Sequence, residues 1–124
     1  MKSDKKSWNQ IQGLAGEALA KEFLKKQGYK IIAERYRTAF GEVDLVALLD
    51  GVVLFAEVKS RTGPDFGDPL EAVTPTKIRH FQRAASGFLI EFPQYSIDHF
   101  WEFAAIGIRI YDDRTEIEMV KILP

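Results

Sequence analysis

Cysteine is absent from the 124 residues, so neither a disulfide framework nor thiolate chemistry is open to this chain, which fits a reducing compartment. Only two histidines occur, His80 and His99, and their isolation argues against zinc. No stretch approaches the roughly 18 apolar residues of a membrane span, and no apolar segment follows the basic start MKSDKKSWNQ. A soluble, cytoplasmic protein with no membrane partner is expected. An excess of one charge is missing too: 17 Lys+Arg stand against 18 Asp+Glu, so attraction for nucleic acid must come from a local patch. Internal repeats, linkers and low-complexity tracts are lacking as well. The length suits one domain over residues 1–124, with 1–7 expected as a flexible tail.

What is present reads as an α+β alternation. A helix is predicted over residues 8–27, closed by Gly28 behind Lys25 and Lys26. Gly13, Gly16, Glu17, Ala20 and Leu24 fall on one side of it, and small residues there let a helix approach a sheet closely. Strands are predicted over 29–38, 42–49 and 52–61, the last two joined by Asp50-Gly51, which suits a two-residue turn with positive φ at both positions. The Gly- and Pro-rich TGPDFGDPLEAV reads as a functional loop. Thr74 as N-cap and Pro75 at the first helical position open a second helix to about residue 92. Its apolar stripe is Ile78, Phe81, Ala85, Phe88 and Leu89, with Lys77, Arg79, Arg83 and His80 on its surface. Strands over 100–110 and 117–123 complete the order αβββαββ, and Trp101 and the phenylalanines are expected in the core.

The hairpin GEVDLVALLDGVVLFAEVKSR carries charges where apolar residues would pack better. Counting outward from the turn sets Leu49 against Val52, Asp44 against Glu57 and Glu42 against Lys59, all on the face of Val46, Leu48, Val53 and Phe55. Two carboxylates about 5 Å apart at an effective dielectric near 20 repel by roughly 3 kcal/mol, which a hard divalent cation would reverse. Glu17 on the facing helix could add a third carboxylate. The alternative is a solvated sheet face with a Glu42–Lys59 ion pair. Against it, the face is apolar for most of its length and the charges gather at one end.

Asp44, twelve residues, then Glu57-Val58-Lys59 resembles the bipartite signature of the PD-(D/E)XK nuclease superfamily, and Glu17 is similar to the helical acid of its Holliday-junction-resolvase-type members. GxxGE at 13–17, GEVDLVA at 41–47, LFAEVKSR at 54–61, FGDPLEAVTPTK at 66–77 and FWEFAAI at 100–106 together resemble the YraN-like family of small bacterial proteins. The resemblance implies a restriction-endonuclease-like α/β (α+β) fold, a central mixed sheet of about five strands flanked by two main helices. It implies an enzyme, a Mg²⁺-dependent endonuclease (Mn²⁺ substituting) that hydrolyses phosphodiester bonds of branched or structured DNA. Glu17, Asp44, Glu57 and Lys59 would be catalytic. Asp44, Glu57 and the Val58 backbone carbonyl would hold the metal, with Glu17 reaching it directly or through water. Lys59 would orient the attacking water or stabilise transition-state charge. Phosphate contacts are expected from Arg37, Arg61, Lys77 and Arg83, with the 62–75 loop lining the groove. A resolvase-like role would favour a homodimer. The chain departs from the family where an Asn-Tyr-Arg run is usual and Arg35-Tyr36-Arg37 stands instead, at Ala39 in place of a basic residue, and at Phe100-Trp101-Glu102 in place of Arg-Phe-Asp. The competing expectation is a non-catalytic nucleic-acid-binding or protein-interaction module that keeps the nuclease fold.

Overall fold

The computed structural model describes residues 8–39, 41–63, 70 and 74–122, and the side chains of its first helix from Leu14 onward. The elements are α1 (Trp8–Lys26), β1 (Lys30–Thr38), β2 (Gly41–Leu49), β3 (Val52–Thr62), α2 (Pro75–Glu91), a 3₁₀ turn (Pro93–Tyr95), β4 (Phe100–Ile110) and β5 (Thr115–Ile122). This is the expected αβββαββ order with boundaries moved by one or two residues. The expected tail and most of the 62–75 loop lie outside the described residues. No described helix is long and apolar enough to cross a membrane.

One sheet runs β1-β2-β3-β4-β5, antiparallel except between β3 and β4, which are parallel. A parallel pair needs a crossover, and α2 is it. The two helices take opposite faces because each strand alternates its side chains. Leu45, Ala47, Leu54, Ala56, Ala104, Ile106 and Ile108 pack with Ala20 and Leu24 of α1. Val43, Val46, Val53 and Phe55 pack with Phe81, Ala84, Ala85 and Phe88 of α2. Phe55 and Phe88 meet edge to face at 5.7 Å, the favoured aromatic geometry.

The helix ends form as the sequence predicts. Past α1, the Tyr29 N–H reaches the Leu24 carbonyl and the Gly28 N–H the Lys25 carbonyl, both at 3.0 Å. At α2, the Thr74 side chain accepts from the Lys77 N–H with Pro75 in the first turn. Gly16 sets the approach of α1, since a Cβ there would lie 2.9 Å from the Cβ and Oγ of Ser60 on β3. One expectation fails: Trp101 and Phe100 are 46% and 77% exposed rather than in the core. Both stand at the start of β4, where alternation puts Phe100 on the α1 face and Trp101 on the α2 face, and the Trp101 indole N–H donates to the Tyr95 carbonyl.

Candidate active site

The turn sets the geometry of the site. Asp50 and Gly51 both take positive φ, 50° and 78°, and Leu49 pairs with Val52 as counted. The ladder then runs to Leu45↔Ala56 and stops. In an antiparallel ladder hydrogen-bonded pairs alternate, so from Leu49↔Val52 the next after Leu45↔Ala56 would be Val43↔Val58. Instead the Val58 N–H donates to Oδ2 of Asp44 at 2.7 Å. A carboxylate has replaced a backbone carbonyl, and β2 parts from β3 at this point. Both polar groups of an extended residue project to the same side, so the Val58 carbonyl also faces the β2 side.

Side-chain alternation breaks at the same place. Val43 lies on the α2 face, yet Leu45, two residues on, lies on the α1 face. On β1, Glu34 and Arg35 both reach α1, pairing with Lys21 at 3.0 Å and Glu17 at 2.8 Å, while Tyr36 returns to the α2 face. Arg35 has φ 49°, in the left-handed region, and the β1–β2 register puts position 35 opposite 44. The break therefore crosses two strands.

Three expectations are corrected here. Asp44 is not paired with Glu57, because the β2–β3 ladder ends at Leu45↔Ala56. Glu42 is not opposite Lys59: it faces Arg37 on β1 and holds its Nε at 2.7 Å, while the Lys59 ammonium turns to Glu57 on its own strand at 3.2 Å. The charges also do not share one face. Glu57 and Lys59 continue the α2 face of Val53 and Phe55, whereas Glu17 comes from α1 on the other side. Asp44 stands where the strands part, close enough to feel both.

Its ionisation records this position. Burial pushes the Asp44 carboxyl up from 3.8 to about 6; the Val58 hydrogen bond opposes the shift, and the charges of Glu17, Glu57 and Glu42 add to it. Glu57 and Glu17 are largely sheltered, with side chains 17% and 20% exposed. As oriented, no three Asp, Glu or His side chains among the described residues form a ready-made ion cage.

A cationic group flanks the acids. The Lys77 side chain, in the first turn of α2, is held below its usual range first by the charge of Lys59, then by a hydrogen bond from Lys59 that only its neutral amine can accept, with burial and Arg61 contributing further. Two positive charges that repel one another gain from an anion placed between them. Arg61 donates to the Ser60 carbonyl at 2.9 Å on the same face. Of the other expected phosphate contacts, Arg37 is occupied by Glu42 although its side chain is 83% exposed, and Arg83 is exposed farther along α2. Sequence reasoning missed Arg109, which pairs in register with Arg61 on β4 and donates to the Gly63 carbonyl at 2.7 Å. Its signal was parity: with Ala104, Ile106 and Ile108 on the α1 face, Arg109 belongs to the α2 face.

Relatives carry the comparison across the whole region. A UPF0102 protein of Syntrophomonas wolfei is 38% identical over 112 residues, 90% of this chain and 96% of its own. Another from Chloroherpeton thalassium is 39% identical over 94 residues, 76% and 73% of the two chains. A third, from Caldicellulosiruptor saccharolyticus, is 35% identical over 109 residues, 88% and 92%. The family profile spans residues 16–111, which includes Glu17, Asp44, Glu57, Lys59, Lys77 and Arg109, and the chain belongs to the uncharacterised protein family UPF0102.

Proposed function

We propose that this protein is a Mg²⁺-dependent endonuclease of the PD-(D/E)XK type, hydrolysing phosphodiester bonds in branched or structured DNA. The observation that carries the reading is Asp44: its carboxylate interrupts the β2–β3 ladder to hold the Val58 N–H and is pushed up to about 6 by burial and by Glu17 and Glu57. Such an arrangement is unfavourable without a cation. The donor set fits a hard ion, being carboxylates and a backbone carbonyl without sulfur or imidazole. Asp44, Glu57 and the Val58 carbonyl would hold it, with Glu17 completing the set after reorientation. When bound, the ion supplies Lewis-acid polarisation of the phosphate and a more acidic water.

The remaining chemistry belongs to the chain itself. Lys59, tied to Glu57 at 3.2 Å, presents a positive charge beside the acids and would stabilise the charge that builds on the phosphate oxygens. Lys77, Arg61 and Arg109 would hold neighbouring phosphates on the α2 face. Arg37 and Arg83 are more distant contacts. The direct test incubates wild type, Glu57→Gln and Lys59→Ala with linear, flapped and four-way-junction DNA in Mg²⁺, Mn²⁺ or EDTA. Cutting by wild type alone, abolished by EDTA, is expected. Equal cutting by all three would reject the assignment, and DNA binding without cutting would favour a non-catalytic module.

A further inference from the structure

Of the three acids that act on one another at the strand gap, Glu57 is paired with Lys59 on its own strand and Glu17 with Arg35 across from α1. We propose that Arg35 is the resident counter-ion of the site, a positioning residue that holds Glu17 in the metal-free protein and releases it when a divalent cation binds. The inference rests on reading Asp44, Glu57 and Glu17 as a metal site.

Several independent features point to it. Arg35 Nε donates to Glu17 Oε1 at 2.8 Å, and the pair forms one wall of a 280 Å³ groove between α1 and β1. The register sets Arg35 beside Asp44 across the β1–β2 pair, where neither strand keeps its alternation. Its φ of 49° is strained for a side chain with a Cβ, and in exchange two successive residues of β1 face α1. That backbone is what brings the guanidinium to Glu17. The Glu17 hydrogen bond and charge, then the charges of Glu42 and Asp44, all favour the guanidinium at this place. Arg35 is thus the monovalent answer to the repulsion that a divalent ion would answer better. Its side chain is 48% exposed, so it can swing to solvent without opening the core.

Binding of Mn²⁺ then becomes a competition with Arg35. Calorimetry would compare wild type, Arg35→Gln, which removes the charge alone, Arg35→Asn, which also suits the left-handed backbone, Arg35→Lys and Asp44→Asn. Kd is expected to fall roughly tenfold in both the Gln and Asn variants and to stay near wild type in the Lys variant, as removal of one positive charge beside a dication requires. Asp44→Asn should lose binding. A second readout is the Arg35 Nε–H resonance, which should shift on addition of Mg²⁺ as Glu17 leaves it. If Asp44→Asn abolishes binding but neither uncharged variant tightens it, the counter-ion role is wrong and the metal site stands. If wild type and all variants bind equally or not at all, both fall.

Discussion

Asp44 concentrates the physics of the candidate site in one carboxyl. Its value in the folded chain is raised from 3.8 to about 6, so the folded protein holds that proton more tightly than the unfolded chain does. The associated stability is fully present below pH 3.8 and is lost as the pH rises through about 6. Above that, the ionised carboxylate costs the metal-free fold at most about 3 kcal/mol. Asp44→Asn keeps the shape and can still accept from Val58 N–H. Thermal melts in EDTA at pH 8 should therefore place this variant above wild type by roughly 5 °C, with the gap closing toward pH 4. Mn²⁺ should reverse the order, because only wild type gains from it. Below about pH 6 the metal must displace a proton from Asp44, so Mn²⁺ affinity should weaken roughly tenfold for each pH unit lost.

At the scale of elements, the register was legible from the turn as far as Leu45↔Ala56, because Asp50-Gly51 admits one geometry and apolar parity carries the count along both strands. Beyond that pair the count assumed that alternation continues. It does not, since Arg35 and Asp44 break it together, and a backbone excursion leaves little trace in residue type. The one trace lay in the family resemblance, which implies Asn where Arg35 stands, and Asn enters the left-handed region readily. The loss of the Glu42–Lys59 pair follows from the same break. The side of the sheet taken by α1 was illegible for another reason: small residues announce a close contact without naming the face. Gly16 makes that contact, so Gly16→Val should force α1 away from Ser60 and destabilise by about 2–3 kcal/mol in urea unfolding. Because Glu17 is the next residue, the same variant should also weaken Mn²⁺ binding.

For the whole molecule, a net charge of −1 leaves no general attraction for DNA, and the cations proposed to meet phosphate are Lys59, Lys77, Arg61 and Arg109 on the α2 face. Binding should accordingly be weak and strongly salt-dependent. Filter binding of a four-way junction over a salt series should give a slope that falls by about one when Lys77 or Arg109 is replaced by Ala. Replacement of Arg83, farther along α2, should change it less. The ladder gap also gives the molecule a built-in gauge. Along β3, the amides of Val52, Leu54 and Ala56 point to β2 and exchange their hydrogens only when the hairpin opens. The amide of Val58 points the same way but is held by a titratable oxygen, so its exchange rate follows the state of one carboxylate. Measured against Ala56, two residues away, that single hydrogen separates protonation or metal capture at Asp44 from unfolding of the sheet.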